Sequence, residues 1–347
     1  MGRSIHQPLS SQNRRAGQAH HRDRGSGRTF VNPGRGGYQQ PPASVYLPFF
    51  ARRVWRSIVG PRPLAAPRIP NDGHDLRAWD SGNGQQDQPA TVTWVGHSTL
   101  LIQMGGLSIL TDPVWARVAG PRSLGPGRMV DPGLAIDDLP PIDVVLVSHN
   151  HYDHMDLVTL GRLAERGKGR TRFLVPLQNG DILEQTGIGS VTELDWWDSL
   201  RVGEASIHCV PAFHWSRRGL RDTNRSLWSG WVVVAGGRRF YFAGDTGMFD
   251  GFEEIGSRLG PFDLAAVPIG AYEPRCMMKA SHLNPEEAVE ALQRLGADHG
   301  LAIHFGTFEL SDEPFDEPPL RFSRASELAG RGRARDWVLQ VGQTRLW

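Results

Sequence analysis

The sequence predicts a layered α/β fold, and three features of the 347-residue chain indicate it. Apolar segments of strand length recur from residue 91 to the region near residue 306. Predicted helices are interspersed among them, which indicates sheets covered by helices. The chain is 39% hydrophobic and 22% charged, which is ordinary for a globular protein large enough to bury an ample core.

The first strands are predicted in residues 91–113, TVTWVGHSTLLIQMGGLSILTDP, where apolar residues alternate. The glycine pair at 105–106 predicts a hairpin turn between two of these strands. Residues 143–148, DVVLVS, form a continuous apolar run, which is typical of a strand buried on both faces. Further strands are predicted over residues 173–176, 205–212, 231–235, 238–244, 264–270 and 300–306.

Two helices are predicted in the same region. One covers residues 156–166, directly after the apolar run. The other begins at Asn284-Pro285, because Asn is a favoured N-cap and Pro is favoured at the first helical position. This second helix is predicted to continue to Leu295.

The first 90 residues differ in composition from the rest. Residues 1–44 are rich in Gly, Arg, Gln, Ser and Pro, and we expect a disordered basic tail there. Residues 45–60 mix aromatic and aliphatic residues with Arg, which fits an arm packed on the body or a helix at a membrane surface. Residues 45–90 are therefore interpreted as an arm and linker, and residues 91–347 as the catalytic domain.

Charge and cysteine content narrow the class of protein. Residues 1–70 contain twelve Arg and one acidic residue, whereas the whole chain has a net charge of +1, so a basic tail precedes an acidic body. Two cysteines, Cys209 and Cys276, exclude a disulfide framework and favour a reducing compartment. An apolar run of the ~20 residues needed to span a bilayer is missing, as is a secretory signal. We expect a cytoplasmic location, with peripheral contact at the inner membrane face left open.

The strongest functional pattern is a group of histidines directly after the apolar run at 143–148. His149 and His151 are two residues apart and project the same way in extended backbone. Asp153 and His154 follow at the expected strand-to-helix corner and can reach a nearby point. Imidazole and carboxylate together suit zinc, with iron and manganese as alternatives. The spacing therefore predicts a metal site.

Further ligands are expected at the ends of other strands, because this group alone cannot complete two metal sites. His214, Asp245 and His304 stand at such positions. Each has an ordinary structural explanation by itself, but their joint occurrence favours ligands. Asp112 and His97 also stand near strand ends, where each either orients a ligand imidazole or has only a structural hydrogen-bonding role.

The order HxHxDH, His, Asp, His resembles that of the metallo-β-lactamase superfamily. Several segments are more narrowly similar to its phospholipase D branch, which hydrolyses N-acylphosphatidylethanolamine. The resemblance covers roughly residues 91–320. The similar segments are VSHNHYDHMD (147–156), ELDWWDS (193–199), FAGDTG (242–247), GPFDLAAVPIGAYEPR (260–275), HLNPEEAVEAL (282–292) and AIHFGTFEL (302–310).

The resemblance implies a four-layer αββα sandwich, two Zn²⁺ per chain and a homodimer. It implies that a metal-bridging hydroxide attacks phosphorus, which yields N-acylethanolamine and phosphatidic acid. Catalytic roles are implied for Asp153, Asp245 and His282, with His282 facing the substrate unless it is only a surface cap residue. One metal would be held by His149, His151 and His214, the other by Asp153, His154 and His304, with Asp245 bridging them.

Three other functions remain alternatives. A lactonase or other hydrolase of a small soluble ester would use the same two-metal site. A nuclease is suggested only by the Arg-rich tail, and the acidic body argues against a nucleic-acid partner. A non-catalytic metal-binding scaffold is disfavoured because the ligand set is complete. The expected partner is therefore a phospholipid or small ester, with membrane contact through residues 45–60.

Overall fold

The structure, a computed structural model, is built on two seven-stranded β-sheets. It describes residues 20–24, 27–34, 44–45, 47–49, 51–52, 55 and 89–347. The strands are β1 (His20–Arg24), β2 (Gly27–Val31), β3 (Thr91–Gly96), β4 (Thr99–Met104), β5 (Leu107–Thr111), β6 (Val144–Leu146), β7 (Arg172–Pro176), β8 (Val191–Leu194), β9 (Ser199–Val202), β10 (Ala205–Val210), β11 (Gly230–Ala235), β12 (Arg238–Phe242), β13 (Phe262–Pro268), β14 (Ala297–Ile303), β15 (Asp336–Trp337) and β16 (Thr344–Leu346).

Helices cover the outer faces of these sheets. The helices are α1 (Leu157–Gly167), α2 (Gly180–Glu184), α3 (Gly251–Leu259), α4 (Arg275–Met278), α5 (Pro285–Arg294), α6 (Glu317–Leu328) and α7 (Gly332–Arg335). Strand order is β16-β3-β4-β5-β6-β7-β8 in one sheet and β15-β14-β13-β12-β11-β10-β9 in the other. The predicted α/β class and sandwich architecture are confirmed.

The interior strand β6 shows how the sequence builds these layers. Val144 and Leu146 join the large core between the two sheets, whereas Val145 and Val147 join a second core. Leu160 of α1 belongs to that second core. Because successive side chains of a strand point to opposite faces, a continuous apolar run buries both faces at once. The predicted hairpin turn at 105–106 lies between β4 and β5.

Helix α5 packs on the outer face of the other sheet, against β13 and β14. Its apolar residues Ala288 and Leu292 are fully buried. Asn284 caps it as predicted: its side chain accepts from the backbone N–H of Glu287 at 2.8 Å, and the Glu287 carboxylate accepts from the Asn284 N–H at 3.1 Å. This reciprocal pair is a capping box, which satisfies two otherwise unpaired donors at the helix start.

The N-terminal region differs from the expectation of disorder. Strands β1 and β2 form an antiparallel hairpin inside the segment 1–44. Phe30 and Asn32 are 2% and 3% exposed, and Phe30 belongs to the large core. Composition counts apolar residues, whereas one phenylalanine suffices to anchor a short hairpin on an existing core. The remainder of the predicted tail lies outside the described residues.

The predicted arm is described at only a few positions. Phe49 is buried, Leu47 and Trp55 are largely exposed, and Arg52 pairs with Asp312 at 2.6 Å. These contacts show an arm that touches the body, while most of the predicted linker lies outside the described residues. Within the described part of the chain, none of the helices has the length and apolarity needed to cross a bilayer.

Candidate metal centre

The predicted ligands follow strands whose carboxyl ends meet at one edge of the sandwich. In one sheet β12, β13 and β14 are parallel, and β10 runs in the same direction because it is antiparallel to β11. His214, Asp245 and His304 follow β10, β12 and β14, so their strands place them at a common edge. In the other sheet, His149 follows β6 within the motif and meets them there.

The first group joins ring nitrogens of three histidines to one carboxylate oxygen. His149 Nε2 lies 2.8 Å from His151 Nδ1, which lies 3.3 Å from His214 Nε2. Asp245 Oδ2 lies 3.9 Å from His149 Nε2 and 3.7 Å from His214 Nε2. One ligand atom from each residue therefore falls within a span of 4.8 Å, which a single cation can bridge.

The second group surrounds the carboxylate of Asp153. Its Oδ2 atom lies 3.4 Å from His154 Nε2, 3.5 Å from His304 Nε2 and 3.1 Å from His97 Nε2. The four ligand atoms again lie within 4.8 Å of one another. The sequence predicted His97 only as a supporting residue, and the structure places its ring directly among the potential ligands.

Asp245 connects the two groups. Besides its contacts in the first group, its Oδ2 lies 3.2 Å from His154 Nε2 and its Oδ1 lies 3.1 Å from His304 Nε2. His282 stands beside them, with Nδ1 at 3.9 Å from Asp245 Oδ2 and 9% of the residue exposed. The structure thus brings together all eight predicted site residues. Their roles as ligands and catalysts remain predictions.

Hydrogen bonds on the far side of the rings orient three of the histidines. His154 Nδ1 donates to Asp112 Oδ2 at 2.6 Å. Ser148 Oγ donates to the same carboxylate at 2.6 Å. Because its proton is used there, Ser148 Oγ accepts from His149 Nδ1 at 2.9 Å. His214 Nδ1 donates to the Ser281 carbonyl at 2.9 Å. Each ring therefore turns its Nε2 towards the centre, and this is the nitrogen that binds a metal ion once it is unprotonated.

Unusual backbone conformations bring these residues to the centre. His97, Asp112 and His304 have φ of 55°, 33° and 60°, in the left-handed region that non-glycine residues rarely adopt. Gly244 has φ of +60°, and a Cβ atom there would lie 2.6 Å from Ser148 Cβ. Glycine is therefore required directly before Asp245.

Burial keeps the histidines of the first group uncharged. It lowers the pKa of His151 to about 3 and that of His214 to about 4, and it holds the pKa of His149 well below its usual value. Neighbouring histidines lower these pKa values further. The three rings are therefore neutral at neutral pH, which is the form that binds metal ions.

The carboxylates determine the charge of the second group. Burial disfavours the charged form of His154, but Asp245, Asp153 and Asp112 outweigh it and hold its pKa well above the usual value. Burial likewise opposes protonation of His304, and Asp245 and Asp153 raise its pKa to about 9. With protein groups alone, the two histidines carry protons that bound cations would replace.

The donor set fits two transition-metal ions. Within the described part of the chain, His154 Nε2, His304 Nε2, Asp245 Oδ1 and His282 Nδ1 are buried and have no hydrogen-bond partner. Buried polar atoms without a partner are costly, and several of them at one point indicate a bound ion. Imidazole nitrogens and carboxylate oxygens are ligands of zinc, iron and manganese.

Some supporting residues were not identified from the sequence. Ser148 adjoins the motif, and its position before a predicted ligand histidine was the available signal. Ser281 acts through its backbone carbonyl, so its side-chain type carries no information about this contact. Asn32 lies in a segment whose composition indicated disorder, yet its side chain contacts the backbone of His214.

Comparison with known proteins agrees with this architecture. The β-lactamase superfamily domain matches residues 108–305, which is more than half of the chain. The chain belongs to the metallo-β-lactamase superfamily. With its His and Asp clusters and its relatives among metal-dependent hydrolases, this superfamily member is a metallo-hydrolase.

Two relatives narrow the branch of the superfamily. N-acyl-phosphatidylethanolamine-hydrolyzing phospholipase D 1 of Caenorhabditis elegans is 45% identical over 239 residues, spanning 65% of this chain and 67% of that protein. The mitochondrial N-acyl-phosphatidylethanolamine-hydrolyzing phospholipase D of Saccharomyces cerevisiae is 38% identical over 263 residues, spanning 74% of this chain and 56% of that protein. The predicted resemblance to this phospholipase D branch is confirmed.

A solved structure supports the fold of this superfamily member. Igni18, a metallo hydrolase from Ignicoccus hospitalis, superposes with a TM-score of 0.57 at 22% sequence identity. The superposition covers 75% of this chain and 99% of that chain. At this level of identity the match concerns the fold alone.

Proposed function

We propose that this metallo-hydrolase cleaves N-acylphosphatidylethanolamine to N-acylethanolamine and phosphatidic acid, using two zinc ions. The observation that carries the proposal is the position of Asp245, whose carboxylate contacts both groups of ligand atoms. Two cations about 3.5–4 Å apart that share a carboxylate are typical of sites that hydrolyse phosphate esters. The names of the nematode and yeast relatives supply the substrate class.

The ligands divide between the two ions as the superfamily pattern suggests. His149, His151 and His214 would hold one ion. Asp153, His154 and His304 would hold the other, and Asp245 would contact both. When bound, the two ions lower the pKa of a water molecule and neutralise negative charge on phosphoryl oxygens. Zinc is proposed because imidazole ligands predominate in both groups.

His282 is placed to contact the substrate. It is buried, with 9% of the residue exposed, and its Nδ1 has no hydrogen-bond partner among the described residues. Burial lowers the pKa of His282 well below its usual value, so the neutral ring offers one N–H donor and one acceptor nitrogen. Its N–H would donate a hydrogen bond to a phosphoryl oxygen or to the ethanolamine oxygen that leaves, which would assist protonation of the leaving group.

Asp112 and His97 would keep the ligands in position. Asp112 fixes the proton of His154 on the nitrogen that faces away from the centre. His97 Nε2 lies 3.1 Å from Asp153 Oδ2, so it can donate to this oxygen and hold the carboxylate in one orientation. Removing a hydrogen bond that orients a metal ligand in this way commonly changes metal affinity or activity by about 10–100-fold.

The deciding experiment is a mass-spectrometric assay of the purified, zinc-loaded protein in oxygen-18-labelled water. The substrates are N-acylphosphatidylethanolamine, unacylated phosphatidylethanolamine and a lactone panel. We expect N-acylethanolamine and phosphatidic acid from the first substrate, with the label in phosphatidic acid because water attacks phosphorus. Label in N-acylethanolamine would contradict attack at phosphorus. Turnover of lactones without turnover of the lipid would replace the proposed substrate by a small ester.

Membrane contact, cellular location and oligomeric state are further parts of this proposal. A phospholipid substrate favours peripheral contact with a membrane, which the arm at residues 45–60 would provide. A cytoplasmic protein at the inner membrane face would meet such a substrate. Homodimer formation is predicted from the family resemblance, and size-exclusion chromatography with light scattering tests it.

A further inference from the structure

The loop that carries His214 is long and irregular. It connects β10 to β11, and the described residues 211–229 form neither helix nor strand. Loops of this length usually need specific tethers or serve a function. His214 is nevertheless fully buried and contributes Nε2 to the first ligand group. Some other part of the chain must therefore fix the backbone at residue 214.

Asn32 supplies this tether from the N-terminal segment. Its Oδ1 atom accepts the backbone N–H of His214 at 2.9 Å and the indole N–H of Trp228 at 3.0 Å. Trp228 Nε1 also donates to the carbonyl of Ala212 at 3.0 Å. One side-chain oxygen thus joins residue 214, near the start of the loop, to residue 228, near its end. All of these residues are almost completely buried.

The neighbouring backbone reinforces the contact. The N–H of Phe30 donates to the Asn224 carbonyl at 2.8 Å, while the Phe30 ring lies in the large core. Asn224 in turn exchanges hydrogen bonds with Ser216, at 2.8 Å and 3.1 Å. Residues 30–32 therefore hold the loop at two places, residue 214 and residue 224.

The ring of His214 is fixed independently of its backbone. Its Nδ1 donates to the Ser281 carbonyl, and its Nε2 faces His151 Nδ1 at 3.3 Å. A ring held at one nitrogen still pivots if the backbone beneath it moves. Shifts well below 1 Å matter at such centres, because metal–nitrogen distances tolerate only about 0.2 Å.

We propose that Asn32 is a positioning residue for His214, and that the N-terminal segment thereby forms part of the metal centre. Asn32 lies well before residues 108–305, which match the superfamily domain. Its Nδ2 is buried without a partner among the described residues, so the acceptor oxygen is the atom in use. The proposal rests on the metal-ligand role proposed above for His214.

Zinc affinity of the full-length chain tests this role without any substrate. Zinc is titrated against a chromogenic chelator for wild type, Asn32→Leu and Asn32→Asp. Leucine is similar in size but has no acceptor, whereas aspartate keeps one. We expect Asn32→Leu to weaken one of two zinc sites by about 10–100-fold and Asn32→Asp by less than about threefold. Asn32→Ala removes the same acceptor and replaces Asn32→Leu in the titration if the leucine variant does not fold.

Asn179→Leu is the matched control. Asn179 is completely buried and donates to the carbonyls of Pro176 and Leu227, but it does not contact a proposed ligand. We expect both leucine variants to lower the melting temperature and only Asn32→Leu to lower zinc affinity. Wild-type zinc affinity in Asn32→Leu would overturn the proposal. Equal losses in both variants would also overturn it, because destabilisation alone would then explain them.

His214→Ala separates this inference from the proposed function. It should weaken the same zinc site as Asn32→Leu. If His214→Ala leaves both zinc affinities unchanged, the ligand role fails and the role of Asn32 fails with it. If the zinc results are as expected but the lipid is not hydrolysed, only the proposed substrate fails.

Discussion

At the scale of single residues, the metal centre depends on which ring nitrogen carries the proton. Asp112 holds two oxygens close to the motif: Oδ2 accepts from His154 and from Ser148 Oγ, and Oδ1 accepts the Ser148 N–H at 2.6 Å. Burial raises the pKa of Asp112, and its hydrogen bonds with His154 and Ser148 offset part of that shift. This one carboxylate orients two of the proposed ligands.

Asp112→Asn should weaken zinc binding by about 10–100-fold, because an amide cannot accept all of these hydrogen bonds. Chelator competition measures the change. Asp143→Asn is the control: Asp143 accepts the Ser108 N–H at 2.8 Å and is not a member of the ligand groups. Zinc affinities that are equal in the two variants would contradict the orienting role of Asp112.

Asp245→Ala should abolish turnover, because it removes the only proposed ligand that contacts both groups. Burial raises the pKa of Asp245, but His154 and His304 outweigh it and keep the carboxylate ionised. Circular dichroism should remain close to wild type. Asp250→Ala, at a fully exposed carboxylate before α3, should retain activity in the same assay. Full turnover by Asp245→Ala would remove its bridging role.

At the scale of elements, the strands position the proposed ligands and a helix holds one of the adjoining loops. Helix α5 follows His282 directly, so the capping box at Asn284 fixes the chain immediately after this site residue. Arg275 Nη2 donates to both Glu287 carboxylate oxygens at 2.7 Å, and its Nη1 donates to the His282 carbonyl at 2.9 Å. The start of α5 is thereby joined to the backbone of residue 282.

Asn284→Ala should lower the free energy of unfolding by about 1 kcal/mol, the usual effect of losing an N-cap. Thermal denaturation should show a decrease of roughly 2–4 °C. The comparison variant is Glu290→Ala in the same helix, which removes only an exposed pair with Arg294. That pair should contribute about 0.3–0.5 kcal/mol. A larger effect at Glu290 would show that the cap is not the stabilising feature.

At the scale of the whole molecule, the centre lies where the two sheets meet. The proposed ligands at 149–154 follow β6 of one sheet, whereas His214, Asp245 and His304 follow strands of the other. A bound ion would therefore connect both halves of the sandwich. Since it binds only the folded chain in this geometry, it should stabilise the whole fold.

Removal of metal should accordingly lower the melting temperature. One site filled at 100 times its dissociation constant contributes about 2.7 kcal/mol to the free energy of unfolding. Scanning calorimetry before and after dialysis against a chelator measures the loss, and added zinc should restore it. Magnesium is the control because it prefers oxygen ligands and should restore little. A melting temperature insensitive to chelator would contradict structural coupling through the metals.

Much of the fold was predictable because its signals are local. The continuous apolar run before His149 indicated a strand buried on both faces, and β6 is such a strand. The glycine pair and the Asn284 cap were equally local. Strand order was not predictable in this way, since pairing β3 with the C-terminal β16 depends on contacts between distant parts of the chain.

By itself, the sequence determined the strand pattern and the residue types of the proposed ligands, since residue type and spacing carry both. Only the tertiary structure decided which supporting groups reach them. His97 joins the ligand groups because β3 ends at the same edge as the motif, and Ser281 acts through a carbonyl that every residue type has. Asn32 contacts His214 across 182 positions. Such contacts arise from packing of segments that are distant in sequence, so short-range sequence patterns cannot predict them.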